Sequence, residues 1–452
     1  MGVPAHHATT RHLGVAYPFA SEAGLGGRGV LIGRDLLGGA FVYDPFELYR
    51  SGLLTNPNMV VFGQIGRGKS AFVKTYLWRQ AVFGRRAWVV DPKGEYAPLA
   101  RAWGIEPVAL RPGGSVRLNP LDAPPTRAGS SGDDTTRRRA ELLASLAAAS
   151  LGRSLAPTER SAVELAVAEV SGAAARRLGS SDAPTLPDIV DALLAPSECS
   201  AQTVRTTVDA LATDGRHVAL ELRRLVAGDL QGMFDGPTTR GISLSGPLVV
   251  LDLSAVYHSA ALGVIMTCAT AWFQAAVAGL APLDNASSSP DSDDAPVSGV
   301  QNPPVPAGAG VVVVVDEAWA ILANLGVARW LQSSWKLSRA WGVSNIAVLH
   351  RLSDLTSAGA SGSEQVGLAQ GLLADSETRV IYGQPPGEVE RAGDLLGLSS
   401  TEADLVPQLQ RGVALWKVGG RSFLVQHRLS GLETALVDTD ARMAGAGLSG
   451  TR

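Results

Sequence analysis

An α/β fold, built on a mainly parallel sheet and carrying an all-helical insertion, is predicted by three observations. A short apolar run, Met59-Val60-Val61-Phe62, leads into Gly63-Gln64-Ile65-Gly66-Arg67-Gly68-Lys69-Ser70 and then into helical spacing from Ala71 to Phe83. A second apolar run, Arg86 to Val90, completes strand, helix, strand, a unit whose strands are parallel. Five consecutive valines, Val311 to Val315, have the unbroken apolar character of a central strand buried on both faces.

Residues 1–58 form a lead-in. Gly29 to Gly33 and Ala40 to Tyr43 read as short strands around a turn at Leu36 to Gly39, and Asn56-Pro57-Asn58 punctuates the chain before the strand at Met59. Residues 59–122 are the first part of the α/β domain. Its second strand ends in Asp91-Pro92-Lys93-Gly94-Glu95-Tyr96. Residues 123–240 are the helical insertion. It opens on a Pro-, Gly-, Ser- and Asp-rich loop, and helical periodicity marks Glu159 to Leu178 and Val204 to Leu225. Thr185-Leu186-Pro187-Asp188 has the form of a capping box with proline in the first turn.

Residues 241–440 return to the sheet, with strands at Pro247 to Asp252, Val311 to Val315, Ser344 to Leu349 and Thr378 to Tyr382. A helix is predicted after Trp319, to about Trp341. Gly412 to Val418 and Ser422 to His427, joined by Gly419-Gly420, read as a hairpin. Segment 284–309 has no lysine or arginine and is dominated by Ser, Pro, Asp and Gly, the composition of a disordered acidic linker. Residues 441–452 are a tail.

At 452 residues the chain has room for two or three domains, and 46% hydrophobic with 18% charged residues is ordinary globular composition. The net charge of −3 gives no global basic field for nucleic acid. Arg137 to Arg139, Arg176-Arg177 and Arg223-Arg224 read as solvated helix faces. Two cysteines, Cys199 and Cys268, make no disulfide framework or metal site and fit a reducing cytoplasm. The N-terminus has no secretory pattern. Ser259 to Leu283 is uncharged and long enough to span a bilayer, but its Ser, Thr and Gln residues and its Ala/Gly content favour a core helix over the sheet.

G-x-x-x-x-G-K-S between a strand and a helix is the context of a phosphate-binding loop, or P-loop. Its glycines let backbone N–H groups turn toward phosphate oxygens, and the helix dipole favours an anion there. A chance glycine turn is the alternative, and five lysines in the whole chain make that coincidence rare. Gly63, Gln64, Ile65, Gly66, Arg67, Gly68, Lys69, Ser70 and Ala71 form the predicted ATP-binding segment. Lys69 would reach the β- and γ-phosphates, and the Ser70 hydroxyl would sit on Mg²⁺.

Asp316-Glu317 closes the valine strand. In a chain with a P-loop this pattern suggests Asp316 as a Mg²⁺ ligand, directly or through water, and Glu317 as the base for an attacking water. The alternative is a carboxylate pair favoured by a helix N-terminus. Ligands of doubly wound sheets sit at the carboxyl ends of strands, where Gly63, Asp91, Asp252, Asp316 and His350 all fall. Asp91 therefore joins the candidate nucleotide-binding residues, with Lys93 and Glu95 of the same turn. His350 reads equally as a γ-phosphate sensor or a structural histidine. Arg339, Arg351 and Arg379 are the candidates for a charge-stabilising cation, with surface ion pairing as their other reading.

These residues resemble the ATPases of conjugation and type IV secretion, in the HerA/FtsK class of P-loop motors, and most of all the TraC-like, fourth-VirB-component type. The resemblance rests on Gly63 to Ser70, Asp91-Pro-Lys-Gly-Glu95, Val315-Asp-Glu-Ala-Trp319, Leu155 to Arg160, Met233-Phe-Asp-Gly236 and Ser338 to Asp354. It covers roughly residues 25 to 440 and implies a RecA-like P-loop ATPase domain. It also implies a hexamer-forming motor at the cytoplasmic base of a secretion channel, either free or peripheral at the inner face of the membrane. Lys69, Ser70, Asp316 and Glu317 then carry the roles given above, with ATP and Mg²⁺ as cofactors and channel or conjugation components as partners. Two departures stand out: the family usually has a large domain before the P-loop, where this sequence has residues 1–58, and commonly has glutamine where this chain has His350. The other readings are a DNA-translocating coupling protein or FtsK/HerA-like pump, and a nucleotide-binding scaffold with little turnover.

The composition of 284–309 predicts that a broad-specificity protease cuts there first. Mass spectrometry of the earliest fragments checks this, and early cuts confined to other segments would contradict it.

Overall fold

The computed structural model describes residues 24–122, 132–176, 183–228, 230–242, 246–259, 261–278, 310–322, 328, 331–332, 335–336, 342–351 and 364–437. The linker expectation at 284–309, the tail, Arg339 and most of the helix predicted up to Trp341 lie outside these residues.

Among the described residues the strands are β1 (Val30–Asp35), β2 (Ala40–Tyr43), β3 (Met59–Phe62), β4 (Arg86–Asp91), β5 (Val108–Ala109), β6 (Leu248–Asp252), β7 (Val311–Val315), β8 (Val343–Leu349), β9 (Thr378–Tyr382), β10 (Val413–Val418) and β11 (Arg421–His427). They form one sheet in the order β2-β1-β11-β10-β9-β3-β8-β7-β4-β6-β5. From β9 to β5 every pairing is parallel. From β9 to β2 every pairing is antiparallel.

Side chains alternate across a strand, so each run of apolar residues feeds two cores. Val311, Val313 and Val315 join Val60, Phe62, Trp88 and Val90 on one face. Val312 and Val314 join Val61, Val89 and Val348 on the other. The second face is covered by the helix Lys69–Gln80 through Phe72, Val73, Tyr76 and Leu77, and by Leu99 of the helix Ala97–Ala102. The first is covered by the helix Leu262–Ala278, whose Phe273 lies 5.2 Å from Trp88, and by the helices between β5 and β6.

Those helices are Gly132–Leu151, Pro157–Arg176, Leu186–Leu194, Glu198–Thr203 and Val208–Ala227. Leu186–Leu194 starts where Asp188 accepts the Thr185 backbone N–H at 2.8 Å, and it buries Leu186, Ile189, Val190 and Leu193. In Leu262–Ala278 the hydroxyls of Thr267 and Thr270 donate to carbonyls one turn back, at 2.7 Å each, which lets them lie buried. Among the described residues no helix is long and apolar enough to cross a membrane.

Register places the functional end. Phe62 is level with Leu349 and with Ile381, Val90 with Val315, and Asp91 with Asp252. The residues that follow, Gly63, His350 and Asp316, therefore emerge at the same edge as Asp91 and Asp252.

The far end of the helix Lys69–Gln80 is tied down by Arg79. Its guanidinium donates to Glu433 at 2.6 and 2.7 Å, to the Leu31 and Ile32 carbonyls at 2.6 and 3.3 Å, and to the Arg428 carbonyl at 2.5 Å. Burial would raise the Glu433 carboxyl, but the hydrogen bonds from Arg79 and the Ser430 backbone hold it down at about 2. A depressed carboxyl pKa contributes stability that is present above its usual value near 4.5 and fades as pH falls toward 2. Arg79→Ala is expected to cost about 3 kcal/mol at pH 7. Denaturant titrations at pH 7 and pH 3 should show the penalty shrinking at the lower pH. An equal penalty at both would remove the Glu433 pair as its cause.

Candidate active site

The P-loop follows β3 through positions that need glycine. A Cβ on Gly63 would lie 2.5 Å from Cβ of Tyr382. Gly66 and Gly68 have φ of 79° and 112°, in the region that other residues avoid. The loop is anchored by the Gln64 N–H to the Gly383 carbonyl at 3.4 Å and the Gly412 N–H to the Arg67 carbonyl at 3.0 Å. The Arg67 side chain spans from Leu409 to Gln64, and Ile65 is exposed at the tip. Gly68 caps the helix Lys69–Gln80, so Ser70 and Ala71, both half-buried, occupy its first turn.

Lys69 is buried, and its ammonium donates to the Gly63 and Gln64 carbonyls, the latter at 3.0 Å. Burial lowers its pKa to about 8, opposed by the carboxylates of Asp316, Glu317 and Glu95. An ammonium folded onto its own loop, beside a turn of left-handed glycines, fits a site whose natural partner is an anion.

Four carboxylates, Asp316, Glu317, Asp91 and Glu95, lie near enough for the other three to act on Asp316, although among the described residues no three of them form a ready-made metal cluster. Asp316 is 4% exposed and accepts the Glu317 N–H at 3.0 Å. Burial first, then Glu317, Asp91 and Glu95, raise it to about 7. Asp91 accepts the backbone N–H groups of Lys93 at 3.2 Å and Tyr96 at 2.9 Å. Its carboxylate thus builds the D-P-K-G-E turn, while burial raises it to about 6. Glu95 lies 3.6 Å from Lys74, a fully buried lysine of the P-loop helix. Buried acidic groups beside a P-loop serine fit a divalent cation.

Glu317 has φ of 54°, a left-handed conformation that costs of order 1–3 kcal/mol for a residue with a side chain. The turn is fixed by the Ala318 N–H donating to the Val348 carbonyl at 3.0 Å, which carries the chain toward β8 and its terminal His350. One oxygen of Glu317 accepts from His350 Nε2 at 2.5 Å and pairs with the Lys93 ammonium, and the other accepts the Trp319 indole N–H at 2.5 Å. Burial would raise this carboxyl, but the His350 and Lys93 contacts outweigh it and hold Glu317 at about 2.

Of the three candidate arginines, Arg351 follows His350 and is exposed. Arg379, expected as a candidate cation, lies away from the P-loop of its own chain. It is level with Val60, near the amino end of β9 and three residues before Tyr382, roughly 10 Å along the strand. Its guanidinium donates to the Leu396 and Leu373 carbonyls at 2.8 and 3.1 Å, so it does not reach the P-loop of its own chain. Sequence reasoning missed Gln384. It is 2% exposed just past β9 and donates to the His350 carbonyl at 3.1 Å. The available signal was a polar residue directly after an apolar parallel strand, the same signal that marked Asp91 and Asp316.

No family model matches the sequence, and no curated protein matches it. Solved structures do. VirB4 of Thermoanaerobacter pseudethanolicus is 21% identical with a TM-score of 0.68, covering 91% of this chain and 100% of that one. The bacterial conjugative coupling protein TrwBΔN70, in its unbound monoclinic form, is 14% identical with a TM-score of 0.52, covering 89% and 95%. The plasmid coupling protein TrwB in complex with ADP and Mg²⁺ is 13% identical with a TM-score of 0.54, covering 89% and 91%. At these identities the likeness shows the fold: this chain has the RecA-like P-loop fold, with a mostly parallel sheet, of those proteins.

A carboxyl whose folded pKa lies above its unfolded value loses stability as pH rises through that range. Asp316→Asn should therefore stabilise the ligand-free protein by about 1–2 kcal/mol at pH 8, with the gain shrinking as pH falls from about 7 toward 3.8. Thermal melts without nucleotide or Mg²⁺ test this. A variant less stable than wild type at pH 8 would contradict the account of Asp316.

Proposed function

We propose that this chain is an ATP-hydrolysing motor of a conjugative or type IV secretion apparatus, energising substrate transfer or channel assembly. The observation that carries the reading is the convergence of Lys69, Ser70, Asp316 and Glu317 at one edge of a sheet whose fold is like that of VirB4. TrwB structures hold ADP and Mg²⁺, and a non-hydrolysable ATP analogue, which supports the same ligands here.

The P-loop backbone and Lys69 bind and orient the phosphates. Ser70 and Asp316 are the residues that would hold Mg²⁺, which when bound neutralises charge on the phosphate oxygens. Glu317 accepts a proton from the water that attacks the terminal phosphorus, while the bond to the ADP oxygen breaks. A cation that stabilises the transferring phosphoryl group comes from Arg351 or Arg339, or from a neighbouring subunit. A closed ring of six chains at the cytoplasmic base of a channel places such an arginine across each interface.

The likeness to the conjugative coupling protein TrwB favours one second reading, a DNA-translocating pump. Stimulation of turnover by DNA separates the two, since the secretion motor needs none.

Lys69→Ala should abolish most of the thermal stabilisation that ATP–Mg²⁺ gives the wild type. Glu317→Gln should keep that stabilisation and lower phosphate release about a hundredfold or more. Wild-type turnover in the Glu317 variant, or full stabilisation in the Lys69 variant, would refute the assignment.

A further inference from the structure

The carboxylate assigned to proton transfer is fully engaged. Glu317 is 2% exposed, and both of its oxygens accept hydrogen bonds, from Lys93 and His350 on one and from Trp319 on the other. A carboxylate whose charge is balanced by an ammonium, and whose oxygens hold two further donors, is a poor proton acceptor. The chain as it stands has its base sequestered.

Two of the groups that engage it are partly exposed. Lys93 and His350 keep 26% and 21% of their side chains exposed while Glu317 keeps 2%, so they cover the carboxylate and are themselves reached by solvent. Lys93 Nζ is also 3.3 Å from His350 Nε2 and lies over the Tyr257 ring at 5.9 Å. Its backbone is fixed, because its N–H donates to Asp91. Only the flexible side chain is left to move. The ammonium of Lys69 shares the same field, with Lys93 among the charges acting on it.

We propose that Lys93 is a triphosphate sensor that exchanges partners: it pairs with Glu317 in the nucleotide-free chain and moves to the terminal phosphate of a bound nucleoside triphosphate, leaving Glu317 free to accept a proton. This rests on the nucleotide site proposed above and adds how that site distinguishes triphosphate from diphosphate. The physical reason is competition. A terminal phosphate carries more negative charge and more acceptor oxygens than one carboxylate, so it draws an ammonium within reach. A diphosphate lacks that group, and the Lys93–Glu317 pair persists. His350 remains as the donor that keeps Glu317 in place. The base is thereby available only when a γ-phosphate is there to be attacked.

Trp319 reports the exchange, because its indole N–H donates to the same carboxylate. The protein is labelled with 5-fluorotryptophan, and the Trp319 resonance is identified as the one missing from Trp319→Phe. Titrations use ADP–Mg²⁺ and the β,γ-imido analogue of ATP with Mg²⁺, with affinities measured by calorimetry. The Trp319 resonance should move with the triphosphate analogue and stay with ADP, a comparison that needs no variant at Lys93. In Lys93→Gln the resonance should be displaced before any nucleotide is added. The ratio of triphosphate to diphosphate affinity should fall about tenfold with ADP affinity unchanged, and Lys93→Arg should largely restore the ratio. Equal movement with both nucleotides, or an unchanged ratio in Lys93→Gln, overturns the sensor while leaving the nucleotide site intact. Failure of either nucleotide to bind overturns both.

Discussion

A parallel sheet covered on both faces has one place for polar groups, the ends of its strands. The seven parallel strands from β9 to β5 are walled in by two apolar cores that divide even the valines of β7 between them. A polar group on either face costs stability unless a partner is supplied for it, as the carbonyls one turn back do for Thr267 and Thr270. The register then decides the rest. Because the strands end level, Gly63 and Asp91 come together with Asp316 and His350, which lie more than two hundred positions further along the chain.

That crowding has an electrostatic cost that the protein distributes unevenly. Asp316 and Glu317 are neighbours in sequence, yet burial pushes one up to about 7 while donors hold the other at about 2. The split follows from partners. Glu317 has Lys93, His350 and Trp319, while Asp316 has one backbone N–H. A carboxylate left short of donors in an apolar site is suited to a hard cation, and one surrounded by donors is suited to release on demand.

The sequence made much of this legible, and the limits are physical. The P-loop was readable because its glycines, lysine and serine are contiguous and their roles depend on local backbone geometry. The valine run was readable because burial on both faces removes the alternation of an exposed strand. The engagement of Glu317 was not, since Lys93 and His350 are 257 positions apart in the chain and only the sheet order brings them together. Arg379 shows the complementary limit: a residue at a strand end is at the site only if it is the carboxyl end, and Arg379 falls at the other. Lys74, which no sequence pattern singled out, is a fully buried lysine. Its burial comes from packing around the helix and the Glu95 turn, which a helical pattern does not encode.

The helix Lys69–Gln80 has the phosphate loop at its first turn and the Arg79 clamp at its last. Twelve residues make a rod of about 18 Å. A rod gripped at its far end cannot shift freely at the near one. Any displacement of the loop end must either bend those turns or drag the groups Arg79 holds: the β1 carbonyls at the antiparallel edge of the sheet and the closing helix Gly431–Val437 through Glu433. A displacement at the loop end of this helix is thereby passed to the edge of the sheet where β1 and the helix Gly431–Val437 meet.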